Sequence, residues 1–113
     1  MSIIKEALEI QDGRVIDYTL SGSVNVGDVI PLGSSMIGIA VISGLAGEVI
    51  SVDTEKVWQV TAKTSEAIAV GDILYFDVTN RELTKTSTGN VKAGKAMTSK
   101  SAVAGTINIK INI

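Results

Sequence analysis

The stretch Gly89-Asn90-Val91-Lys92-Ala93-Gly94-Lys95-Ala96 has the G-x-x-x-x-G-K spacing with which a glycine-rich loop cradles phosphates. It breaks at the next position, where a Ser or Thr hydroxyl would ligate Mg²⁺ and Ala96 has none. Such a loop must also run from a strand into a helix, whose N-terminus faces the phosphates. Here Met97-Thr98-Ser99-Lys100-Ser101 leads instead to another glycine and a strand-like run. The plainer reading is a hairpin turn at Gly89-Asn90 followed by a strand. Two carboxylates, Asp28 and Asp72, stand in matching Val-Gly-Asp contexts and invite a reading as a catalytic or metal-binding pair. A turn role accounts for both without further partners. Gly27 and Gly71 permit a tight backbone, and the following Asp accepts hydrogen bonds from turn amides.

The chain contains no Cys and no His, which removes disulfides, thiolate chemistry, Cys/His zinc sites and every nucleophile–His pair. Glu48, Asp53, Glu55 and Asp77 lack the spacing of a calcium loop. No catalytic, cofactor-binding or metal-ligating residue is therefore expected. Formal net charge is −2, the wrong sign for a surface that binds nucleic acid or an anionic membrane. Lys85, Lys92, Lys95, Lys100 and Lys110 make the last third mildly basic, but aromatics are 4% of the chain and no stacking platform accompanies them. The same scarcity argues against a glycan-binding module. Lys5, Glu6 and Glu9 interrupt the apolar start, so no signal peptide is read, and no apolar run approaches the ~20 residues that span a bilayer. A soluble protein made in a cytoplasm is the expectation.

The elements that must position these residues are short. Glycine and small polar clusters punctuate the chain at strand-length intervals, leaving nine β-rich runs near residues 14–20, 28–32, 36–42, 48–52, 57–62, 72–76, 81–86, 91–98 and 106–113. In the last run every second residue is Ile, which puts one face in the core and one in water. A short helix is plausible only at residues 2–10 and, as a single turn, at residues 65–69. Pro31 should close a short edge strand, because it has no N–H to give a ladder. The pattern predicts an all-β fold, a small barrel or sandwich of eight or nine strands with little helix.

The chain also echoes itself. Residues 26–30 match residues 70–74, Gly38-Ile39-Ala40 matches Gly94-Lys95-Ala96, and Ala46-Gly47 and Ala104-Gly105 each lead into an apolar strand. Two similar β-modules follow from this, the second with a hairpin insertion at about residues 77–90. The expected organisation is an N-terminal arm or short helix over residues 1–8 and one β domain over residues 9–113. Gly27, Asp28, Gly71, Asp72, Gly89 and Asn90 are its structural turns. Strand alternation opposes Trp58 to Val57, so Trp58 is either a core residue or an exposed interface anchor.

Several stretches together resemble a known family. They are Glu9-Ile10-Gln11-Asp12-Gly13 with Thr19, residues 26–33, Gly38-Ile39-Ala40, Ala67-Ile68-Ala69-Val70-Gly71-Asp72-Ile73-Leu74-Tyr75-Phe76-Asp77, Thr86-Ser87-Thr88-Gly89-Asn90 and Gly94-Lys95-Ala96. The chain is similar, from about residue 9 to its end, to the small β-rich proteins encoded beside the major capsid protein of tailed phages. These are read as capsid decoration or cement proteins and sometimes labelled recombinases. The resemblance implies a structural, non-enzymatic protein of a phage or prophage, made in the bacterial cytoplasm. It would be seated on the virion capsid surface as a homo-oligomer, a trimer for preference, with the major capsid protein lattice as partner and no cofactor. Ile3, Ile4, Leu8, Ile10 and Trp58 are the candidate contacts to the shell or to neighbouring copies. The rival is a nucleotide- or DNA-binding phage recombination protein, which the broken match at residues 89–96 motivates.

Overall fold

The computed structural model describes Ala7, residues 13–103 and residues 105–113. Its nine strands are β1 (Val15–Thr19), β2 (Val29–Pro31), β3 (Ile37–Ala40), β4 (Val49–Asp53), β5 (Val57–Thr61), β6 (Ile73–Asp77), β7 (Glu82–Thr84), β8 (Val91–Ala96) and β9 (Thr106–Ile111). They form two antiparallel sheets, in the orders β1-β4-β3-β2 and β5-β9-β8-β6-β7. Each of the nine expected runs is a strand, and the fold is all-β. Of the two architectures anticipated, it is sandwich-like and not a closed barrel. The second sheet curls until its edges β5 and β7 meet, but only through a parallel bridge between Ala62 and Leu83. The helical turn expected at residues 65–69 is a correction. Ile68 is drawn into the core at 3% exposure, and its N–H and C=O pair with Lys100 at 3.0 and 2.8 Å instead of closing a helix. The arm or helix expected over residues 1–8 lies outside the described residues, Ala7 apart.

The two sheets repeat one another in register. Ile30 opposes Gly38 and Ala40 opposes Val52 in the first; Leu74 opposes Gly94 and Ala96 opposes Ile109 in the second. Thus β1, β2, β3 and β4 correspond to β5, β6, β8 and β9, and β7 is the addition. Side-chain alternation then builds two cores. Ile107, Ile109 and Ile111 of β9 point inward with Leu74, Phe76, Leu83, Ala93 and Ala96. The open side of that core is closed by Val29, Ile37 and Ile39 from the first sheet. The opposite face of the first sheet gathers Leu20, Ile30, Ala40, Ile50 and Val52, flanked by Ile16, Tyr18, Val24 and Leu32. All four residues of β3 are buried as a result, because the strand has a core on each side. Gly94 lets β8 and β9 approach closely. At its φ of 153° a Cβ would land on the Lys110 carbonyl oxygen.

A polar clip joins the sheets. The Asn112 side chain accepts from the Ile37 N–H at 2.9 Å and donates to the Ile37 carbonyl at 2.7 Å, in place of a neighbouring strand. Its second donor contact, also 2.7 Å, is the Thr54 carbonyl in the connection between the modules. Asn112 adopts φ 61°, a left-handed conformation that Asn tolerates better than most residues.

Candidate functional site

The paired Gly-Asp signals form the same turn twice. Gly27 has φ 89° and Gly71 φ 93°. The Asp28 carboxylate accepts the Asn25 N–H at 2.9 Å, and the Asp72 carboxylate accepts the Ala69 N–H at 2.9 Å. Behind each turn the glycine N–H donates to a strand carbonyl, Ala40 in one copy and Ala96 in the other, both at 2.8 Å. A serine completes each unit: Ser43 Oγ accepts from the Val26 N–H at 3.1 Å and Ser99 Oγ from the Val70 N–H at 3.2 Å. Asp28 and Asp72 therefore sit in separate turns of separate sheets, each engaged with its own backbone. A third turn of this kind escaped the sequence reading. Gly47 has φ 87°, and Glu48 Oε1 accepts the Leu45 N–H at 2.6 Å. The signal was Leu-Ala-Gly-Glu-Val, the same pattern with Glu for Asp.

These turns hold apolar side chains out into solvent. Val26, Leu45 and Val70 are 64%, 66% and 62% exposed at their tips. In the first sheet the bridge between Val24 and Gly44 brings two turns side by side, so Val26, Ile42 and Leu45 share one end. In the second sheet the Ile68–Lys100 bridge does the same for Val70 and Val103. Sequence reasoning placed the turns at Gly27-Asp28 and Gly71-Asp72 but gave no sign that the valine before each faces solvent.

Residues 89–96 are a turn and a strand. Gly89 has φ 75°, the Asn90 N–H donates to the Ser87 carbonyl at 3.1 Å, and Asn90 Nδ2 donates to the Thr86 carbonyl at 2.9 Å. Gly94, Lys95 and Ala96 continue as β8 between β6 and β9, where no helix N-terminus faces a phosphate. Trp58 is half-buried against the main core, and its indole N–H donates to the Glu55 carbonyl at 2.8 Å. Val57 takes the outward face at 52% exposure. Ile3, Ile4, Leu8 and Ile10 lie outside the described residues.

The charged groups that the structure engages also hold backbone. Glu66 accepts from the Thr84 hydroxyl at 2.7 Å and the Lys85 N–H at 2.9 Å. Burial works against its ionisation, but these hydrogen bonds and the nearby Lys63 and Lys85 outweigh it, and its pKa is lowered. The Asp77 pKa is lowered too, chiefly by the Asn80 N–H, with the Asn80 side chain and Thr79 N–H adding to it against a desolvation penalty. Arg81, at φ 56° in the β6–β7 turn, reaches across to donate to the Val29 carbonyl at 2.8 Å. Its guanidinium lies 4.9 Å from the Phe76 ring centroid. Among the described residues no cluster of three or more acidic side chains is placed to hold a metal ion, and no helix is long and apolar enough to cross a membrane.

The fold is a duplicated β-sandwich whose polar side chains brace turns and whose apolar turn tips face outward. A family model described as phage cement protein matches residues 10–111, and the chain belongs to that family. No curated protein and no solved structure compared with the chain matches it.

Proposed function

We propose that this protein binds the assembled phage head shell and stabilises it without catalysis, as a symmetric oligomer, a trimer for preference, on the outer surface. The family match over residues 10–111 carries the reading. A protein that binds only the assembled lattice stabilises that state by RT ln(1 + [L]/Kd) per site, and a multivalent oligomer can add ~10²–10⁴ in avidity. The hydrogen bonds of Asp28, Glu48 and Asp72 within their own turns support a surface role for this region, since each carboxylate serves local backbone. The experiment is co-sedimentation with purified, expanded shells of the encoding phage, followed by heating with and without the protein. Saturable binding and a higher shell melting temperature are expected, and absence of both refutes the proposal.

The apolar segment Ile3, Ile4, Leu8 and Ile10 is proposed as one shell contact. Deleting residues 1–8 should abolish binding while the oligomer stays folded, and unchanged binding rejects the segment. Trp58 belongs to the proposal only through its exposed part. The recombination reading gains no support from residues 89–96, which are a turn and a strand. A thermal shift with ATP and Mg²⁺ tests it: stabilisation by the nucleotide, lost in Lys95→Ala, would revive it.

A further inference from the structure

The two sheets match strand for strand except at one place. In the second sheet β7 stands between β6 and the end of β5. It pairs Leu83 with Phe76 and Thr84 with Tyr75 on one side, and receives the Lys63 N–H on the Leu83 carbonyl at 2.9 Å on the other. The Leu83 side chain is fully buried in the slot this makes. Among the described residues the first sheet has no strand in the corresponding position. There β2 and the end of β1, the counterparts of β6 and β5, flank an open gap of about 320 Å³. Its walls include Tyr18, Leu20, Val24, Ile30, Pro31 and Arg81. Tyr18, Leu20, Val24 and Ile30 occupy the register positions of Val60, Ala62, Ile68 and Leu74, which share one core cluster with Leu83. The gap therefore stands where the second sheet has β7.

We propose that this gap receives a short extended segment of a capsid subunit, bearing an aliphatic side chain next to a carboxylate, in the place that Glu82-Leu83-Thr84 takes in the second sheet. This rests on the shell-binding reading above. The aliphatic requirement comes from the wall, where Leu20, Val24 and Ile30 belong to the apolar cluster of the first sheet. The carboxylate requirement comes from Arg81. Arg81 lines the gap and its guanidinium gives one N–H to the Val29 carbonyl, while the one ion pair among the described residues is Lys56 with Asp53. A guanidinium has five N–H donors in a fork that fits a carboxylate. The β2 side supplies little ladder, because Pro31 has no N–H and Arg81 already holds the Val29 carbonyl. Backbone pairing falls to the other wall, where Ser21 stands at the position of Lys63.

The test fills the gap. Gly22 lines it, a Cβ there would meet nothing within 4 Å, and its φ is outside the left-handed region, so Gly22→Trp should fold. Ser23→Phe fills the same space should that variant misfold, and Thr88→Trp, on the far β7–β8 turn, is the control. Co-sedimentation with purified expanded shells is measured together with melting temperature and light scattering. Gly22→Trp or Ser23→Phe should melt as wild type, keep its oligomer and bind shells at least tenfold more weakly, while Thr88→Trp binds normally. Arg81→Gln should bind several-fold more weakly and with a shallower dependence on salt. Wild-type affinity in folded Gly22→Trp and Ser23→Phe overturns the gap proposal and leaves shell binding standing. Failure of the wild type to bind removes both. Loss of the oligomer in the filled variants makes a second copy the occupant and overturns the capsid assignment.

Discussion

Replacing Asn112 by Gly separates the clip between the sheets from backbone strain, because glycine adopts φ 61° freely. The variant deletes one acceptor and two donor contacts, to the Ile37 N–H, the Ile37 carbonyl and the Thr54 carbonyl. Ile37 has no exposed surface, so its two backbone groups lose their partner inside the protein. Leaving a buried polar group unpaired costs about 1–3 kcal/mol, which would sum to roughly 3–9 kcal/mol for three groups. Water entering from the neighbouring groove, lined by Met36, Thr54 and Asn112, restores part of this. We expect a loss of about 2–4 kcal/mol, or roughly 8–15 °C in Tm for a domain of this size. Urea unfolding followed by Trp58 fluorescence gives the free energy and its denaturant slope. Asn112→Asp should lose at least as much, since a carboxylate oxygen would face two carbonyls. A change below about 0.5 kcal/mol in Asn112→Gly would refute the reasoning.

Three further outcomes follow from the same contacts. Gly94→Ala should cost at least ~3 kcal/mol or prevent folding, because its Cβ collides with the β9 backbone; a soluble variant with wild-type Tm would contradict the register of β8 on β9. Asp28→Ala and Asp72→Ala should each cost about 1 kcal/mol, and by similar amounts, because the two turns make the same bonds; strongly unequal Tm losses would count against equivalent modules. The Glu66 pKa lies below its ordinary 4.5 in the fold, so its stabilisation is complete above that value and fades as pH falls through the lower folded pKa. A Tm–pH series should show wild type losing this advantage over Glu66→Gln only below about pH 4.5, and a constant difference down to pH 2 would show that the carboxylate charge does nothing.

Strand positions were legible because their cause is local. Alternation of Ile in β9 and glycine punctuation elsewhere depend on neighbours a few residues away. The repeat was legible where both copies kept a constrained residue, as with Gly38-x-Ala40 and Gly94-x-Ala96. It was misread by one position at the next step. The Ala40–Val52 pair corresponds to Ala96–Ile109, so β3 and β8 differ by 96 − 40 = 56 while β4 and β9 differ by 109 − 52 = 57. Glu48 thus corresponds to Gly105, which the Ala-Gly match had aligned with Gly47. Asn112 and Arg81 gave no signal at all, since their partners lie 75 and 52 residues away. Contacts at that separation are set by how one sheet docks on the other, which no local pattern encodes. The exposed turn tips were hidden for a different reason: the turns are legible from Gly and Asp, but whether the neighbouring Val26 or Val70 side chain faces water or core depends on the tertiary packing.

Duplication accounts for how one module can be a scaffold and the other a surface. The second sheet is complete: β7 fills its slot, and Val29, Ile37 and Ile39 of the first sheet close its open side. The first sheet uses one face for that closure and, among the described residues, lacks a counterpart of β7 on the other. Its strand β3 is buried on both sides, so the β2 wall of the gap is tied through β3 to the core of the second module. In the proposed complex the capsid segment supplies the contacts that Leu83 makes in the finished copy. Holding the gap open costs contacts that the isolated protein forgoes, and those contacts are regained only on a surface that offers the missing strand. Under the proposed docking, discrimination for an assembled shell over other surfaces is a matter of whether that strand is presented beside the turn tips at the right spacing.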